Sequence, residues 1–99
     1  MDAQVGSIRA ATNIIGDKWT PELLRYFLNE DTVRFCALQD KVGGINPRTL
    51  SARLSQLEDQ EIITKCKTDT SRCEYRLTEK GRDLLPILQT MQSWTQKHA

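Results

Sequence analysis

Gly43-Gly44-Ile45-Asn46-Pro47-Arg48-Thr49-Leu50-Ser51-Ala52-Arg53-Leu54-Ser55-Gln56-Leu57 joins the end of one helix to the whole of the next. The paired glycines end a helix, because glycine reaches the left-handed conformation that closes a last turn. Asn46-Pro47 then opens another: the asparagine side chain caps free amides, and proline fits the first helical position, where no N–H is needed. Leu50, Leu54 and Leu57 recur at i, i+4 and i+7, so at 100° per residue they form one narrow apolar stripe. Arg48, Ala52, Ser55 and Gln56 fall on the far side, flanked by Thr49 and Ser51. Arg48 and Arg53 carry the only charges from Asn46 to Leu57, and the acids Glu58, Asp59 and Glu61 come after it. A face that serves only to meet water more often carries Glu–Lys pairs at helical spacing. Short, polar, basic side chains suit a face that presses into a groove.

Upstream, Val5, Ile8, Ala11 and Ile15 give an apolar stripe at helical spacing that ends near Gly16. Thr20-Pro21-Glu22 predicts a second helix capped by the threonine, with Leu23, Leu24, Phe27 and Leu28 inward. A short third helix follows, apolar at Phe35, Leu38 and Val42. Downstream, Ile62–Lys67 and Arg72–Leu77 read as two strands around a turn at Thr68–Ser71. Thr78 caps a last helix bearing Leu84, Leu85, Leu88, Met91 and Trp94, which Pro86 bends or divides. A short helix, a glycine-containing turn and a helix with a polar outer face form the helix-turn-helix pattern. The hairpin behind it is a basic wing: from Thr64 to Cys73, Lys65, Lys67 and Arg72 face the single acid Asp69. The fold expected is therefore mainly α with a small β-hairpin, a winged helix-turn-helix spanning residues 1–99 as one domain.

The parts suit one ligand. A helix can enter the major groove of double-stranded DNA and reach base edges, while wing cations meet phosphates. Base or groove contacts are expected from Asn46, Arg48, Thr49, Ser51, Ala52 and Gln56, and phosphate contacts from Lys65, Lys67 and Arg72. Arg53 lies nearer the leucine stripe, and its two readings, a DNA contact and a structural ion pair, stay open.

The sequence resembles the HxlR-type winged-helix transcriptional regulators. The matching stretches are Ile15–Thr20, Arg34–Leu38, Gly44–Leu54, Cys73–Gly81 and Leu84–Pro86, in the family's order. The resemblance implies a homodimeric regulator of transcription whose terminal helices form the dimer interface, and an inverted-repeat operator that matches its two-fold symmetry. Ile8, Ile15, Leu88, Met91 and Trp94 are the interface residues expected, while Trp19 belongs to the core. Many members carry a cysteine before the first helix that senses oxidants or electrophiles; Gly6 stands there in this chain. Thr70-Ser71 replaces the proline-rich segment usual in the family's wing, and no separate ligand domain is expected after Trp94.

Composition is that of a water-soluble protein: 38% hydrophobic, 27% charged, with a net charge of +1. There is no apolar run long enough for a membrane span and no secretory leader, so the cytoplasm is the expected location and a membrane is not an expected partner. His98 is the only histidine, and the three cysteines form no CxxC pair, so neither a metal nor another cofactor is expected. With no glycine-rich phosphate loop or nucleophile elbow, the chain does not read as an enzyme. A rival class is the winged helix that binds proteins, for which basic Arg48 and Lys67 are poorly suited.

Cys36, Cys66 and Cys73 are the candidate redox residues. A two-residue turn at Asp69-Thr70 would place Cys66 opposite Cys73, within disulfide reach. A slip of one residue would send the two side chains to opposite faces. Reduced thiols that fill small spaces are the other reading, and Cys36 is a fallback at the start of its helix.

Overall fold

The computed structural model describes residues 8–67 and 73–99. Helix α1 (Arg9–Ile15) leads to α2 (Thr20–Arg25), whose start differs from expectation. Its cap is Asp17, not Thr20. Asp17 Oδ1 accepts the amides of Trp19 and Thr20, both at 2.8 Å, and Oδ2 accepts the Thr20 hydroxyl at 2.5 Å. A carboxylate three residues upstream reaches two free amides at once, which leaves the buried threonine a donor.

A strand the sequence did not announce, β1 (Thr32–Arg34), precedes α3 (Phe35–Lys41). The chain then turns through Gly44, whose φ of 84° favours glycine, into α4 (Pro47–Asp59). Asn46 caps α4 as expected, its Oδ1 accepting the Thr49 amide at 2.8 Å. The helix closes with two reversed hydrogen bonds, Ile62 N–H to the Leu57 carbonyl and Glu61 N–H to the Glu58 carbonyl. This closure forces Glu61 to a φ of 61°, the position where glycine is usual.

Strands β2 (Ile63–Lys67) and β3 (Cys73–Leu77) complete a three-stranded antiparallel sheet in the order β1-β3-β2. Ile62, expected in the strand, instead closes α4 and accepts the Thr78 amide on its carbonyl. Lys67 pairs with Cys73 and Cys66 with Glu74, one residue away from the expected register. Cys66 and Cys73 are therefore not opposed, and their side chains leave opposite faces of the hairpin. The expected turn, Thr68–Ser71, and Arg72 lie outside the described residues.

Pro86 coincides with a division of the last helix into α5 (Glu79–Arg82) and α6 (Leu85–His98). It sits in the first turn of α6, where its missing N–H is harmless. Thr78 caps α5 by accepting the Gly81 amide, and its hydroxyl donates to the Glu61 carbonyl at 2.6 Å. Gly81 packs so close to Ile62 that a Cβ there would strike the Ile62 carbonyl oxygen.

One core gathers Leu23, Leu24 and Phe27 of the second helical segment, Val33, Leu38, the three α4 leucines, Ile62, Ile63, Tyr75, Leu77, Leu84 and Leu88. Trp19 is half-buried against it. Leu88 is the last buried residue of α6; every residue after it is exposed, and the molecule measures 51 × 29 × 24 Å.

Candidate nucleic-acid interface

Leu50, Leu54 and Leu57 are at most 2% exposed, which fixes the rotation of α4 and turns its other face outward. Arg48, Ser51, Ala52, Ser55 and Gln56 are all exposed there, with Thr49 half-buried at the margin. Asn46 is exposed as well, but its carbonyl oxygen is committed to the cap. There is no acid in the first turn of α4, so the positive end of the helix dipole and Arg48 act together. Asp59, at the opposite end, is the acid on the same arc.

For Arg53 the structure shows the ion pair. Its Nη1 lies 3.7 Å from Asp17 Oδ2, and both side chains are about one-third exposed. Burial alone would raise the Asp17 carboxyl. The Thr20 hydroxyl, the Thr20 and Trp19 amides and the Arg53 charge outweigh it and hold the group below the usual carboxylate value. Asp17 is the functional candidate the sequence reading missed. Its signal was the spacing, an Asp two and three residues ahead of amides that begin a helix.

The wing leaves directly from the closed end of α4. Ile63 and Lys65 alternate with Thr64 and Cys66 along β2, so Lys65 shares a face with buried Ile63 and Tyr75. Lys65 is nevertheless exposed: it stands on the edge strand β2, opposite buried Tyr75 of the central strand β3. The side chain of Lys67, like Arg72, lies outside the described residues. On the other face Arg34, Glu74 and Cys66 form a row across the three strands, with Arg34 Nε 3.4 Å from Glu74 Oε2.

The five residues expected to meet a second copy divide. Ile8, Met91 and Trp94 are 65%, 45% and 62% exposed. Leu88 is a core residue and Ile15 packs against the core, so both are occupied within their own subunit. Ile87, 39% exposed, was not foreseen. Ile87, Met91, Trp94 and His98 follow i, i+4, i+7 and i+11, an uncovered stripe roughly 60° wide. The rings of Trp94 and His98 lie 5.3 Å apart along it.

Cys36 and Cys66 are exposed free thiols and Cys73 is half-buried. Among the described residues there is no cluster of potential metal ligands, and no helix is long and apolar enough to cross a membrane.

A glycine-turned helix pair with a polar second helix, backed by an antiparallel hairpin, defines the winged helix-turn-helix class of transcription regulators. Residues 14–99 match the HxlR-like helix-turn-helix family, and the chain belongs to that family. A protein of Fusobacterium mortiferum assigned as the regulatory protein MalR is 32% identical over 94 residues, 93% of this chain and 89% of its own. Among solved structures, the redox regulator HypR in its oxidized form superposes with a TM-score of 0.87 at 27% identity, covering 94% of this chain and 97% of its own. The reduced transcriptional regulator YodB from Bacillus subtilis gives 0.81 at 25% identity, covering 94% and 92%. These relatives are regulators, not enzymes.

Proposed function

We propose that this protein binds double-stranded DNA sequence-specifically as a homodimer in the cytoplasm, and so regulates transcription. The observation that carries the reading is the α4 face: a helix anchored by three buried leucines presents Arg48, Ser51, Ala52, Ser55 and Gln56 to the outside. Ser51, Ala52 and Ser55 are short enough for the backbone to approach a major groove, and the longer Arg48 can grip a guanine edge with two hydrogen bonds. Lys65, with Lys67 and Arg72 of the same wing, supplies phosphate contacts that add affinity with little sequence information. Residues 1–99 act as one unit.

The second copy binds through the exposed stripe of α6 and through exposed Ile8. A two-fold dimer presents two copies of α4 to an inverted repeat whose half-sites lie about one helical turn apart. Cys36 and Cys66, the two exposed thiols, are those through which an oxidant would act on this protein.

Replacing one reader and one anchor tests the division of labour. Arg48→Ala is expected to weaken a selected site by about 1–3 kcal/mol while sparing random duplex. Lys65→Ala should weaken both alike and flatten the salt dependence by about one ion. Wild-type behaviour in both variants would contradict the assignment.

A further inference from the structure

We propose that Asp17 is a positioning residue for DNA recognition: it holds the Arg53 guanidinium at the flank of α4, so that Arg53 takes a phosphate only when α4 is seated in register. This rests on the DNA-binding reading above and assigns the pair a regulatory part within that site.

Asp17 is itself fixed. Three hydrogen bonds from Trp19 and Thr20, at 2.5 to 2.8 Å, tie both carboxylate oxygens to the start of α2. Arg53 belongs to a different element, α4, where it sits beside Gln56 and Thr49 on the margin of the outward face. Among the described residues, the Asp17–Arg53 pair is the one ion pair that joins α4 to another part of the chain. At 3.7 Å and one-third exposed on each side, such a pair adds little to folding stability. Its consequence is positional. Guanidinium has five N–H donors in a rigid fork, and with one edge toward Asp17 the others remain open to a phosphate oxygen.

The carboxylate also sets a condition on that contact. A phosphate that approaches Arg53 approaches a fixed negative charge as well, and must compete with it for the guanidinium. Only a backbone placed by the docked α4 meets the open donors at hydrogen-bond distance. Asp17 therefore suppresses the indiscriminate phosphate contact a free arginine makes, and leaves the contact within the specific complex intact.

The test compares full-length wild type, Asp17→Asn, Arg53→Gln and the double variant on random duplex and on a duplex selected from a random pool, across a salt series. Asparagine is as good a cap as aspartate: its one oxygen keeps the two amides at the start of α2, while the charge and the acceptor of the Thr20 hydroxyl are lost. Asp17→Ser, a second neutral cap, should give the same result. Freeing Arg53 is expected to add about one ion to the salt slope on random DNA. At about 0.1 M salt that raises its affinity roughly eightfold. Affinity for the selected duplex should stay nearly unchanged, so the ratio between the two falls. In the Arg53→Gln background, Asp17→Asn should alter neither quantity. An unchanged slope in Asp17→Asn, or an equal change without Arg53, overturns the proposal while leaving DNA binding standing. Failure of the wild type to bind any duplex overturns the DNA reading and this proposal with it.

Discussion

At Asp17 a single carboxylate joins the cap of α2 to Arg53 of α4, and its charge carries a sign that can be measured. The folded state holds its proton affinity below the ordinary value, because hydrogen bonds from Thr20 and Trp19 and the Arg53 charge outweigh burial. Stability from that charge is therefore present above about pH 4 and lost as pH falls through the depressed folded value. Urea unfolding of wild type and Asp17→Asn should diverge at neutral pH, with wild type more stable, and converge in acid; a gap that widens in acid would contradict it. Glu61 offers a second test. A non-glycine residue in the left-handed region costs about 1–2 kcal/mol, so Glu61→Gly should stabilise the protein by about 1 kcal/mol. For a chain of this size that raises Tm by about 4–8 °C. Neither residue was legible. Thr20-Pro21 drew the cap to the hydroxyl, and nothing in Gln60-Glu61-Ile62 announces a glutamate where glycine is the rule.

Elements held by repeating apolar spacing were legible, and those held by pairing were not. The leucines of α4 fixed its rotation from spacing alone, and Asn46-Pro47 fixed its start. By contrast β1 spans three residues, too few for any alternation, and forms because Val33 completes the core while pairing with Tyr75. The hairpin register was open for the same reason: turn composition does not fix how many residues the turn uses. The observed register has a direct consequence. After diamide treatment, peptide mass spectrometry should find no Cys66–Cys73 disulfide within one chain; recovering one would contradict the register. The junction at Thr78–Gly81 depended on a backbone approach that no pattern encodes. Gly81→Ala should cost about 1–3 kcal/mol in chemical denaturation, because Ile62 or α5 must shift to admit the methyl.

For the whole molecule, the terminal apolar residues were legible as a set but not in their partition. Periodicity shows that Leu88 and Met91 are both apolar; it does not show that the core ends between them. The observed stripe of Ile87, Met91, Trp94 and His98 makes the dimer testable. The protein should sediment at about twice its 11.3 kDa chain mass, and chains cut after Thr90 should associate more weakly. A monomer at concentrations on the order of tens of micromolar, far above the usual working range of a stable dimer, would contradict it. The central claim, that α4 reads DNA, is tested most directly by selecting binding sites from a random double-stranded pool with wild type and Arg48→Ala in parallel. The expected result is an inverted repeat enriched by wild type, its half-sites about 10 base pairs apart, with the preference relaxed at one position per half-site in Arg48→Ala. A pool in which wild type enriches no sequence, or in which both proteins enrich the same sites equally, would contradict it.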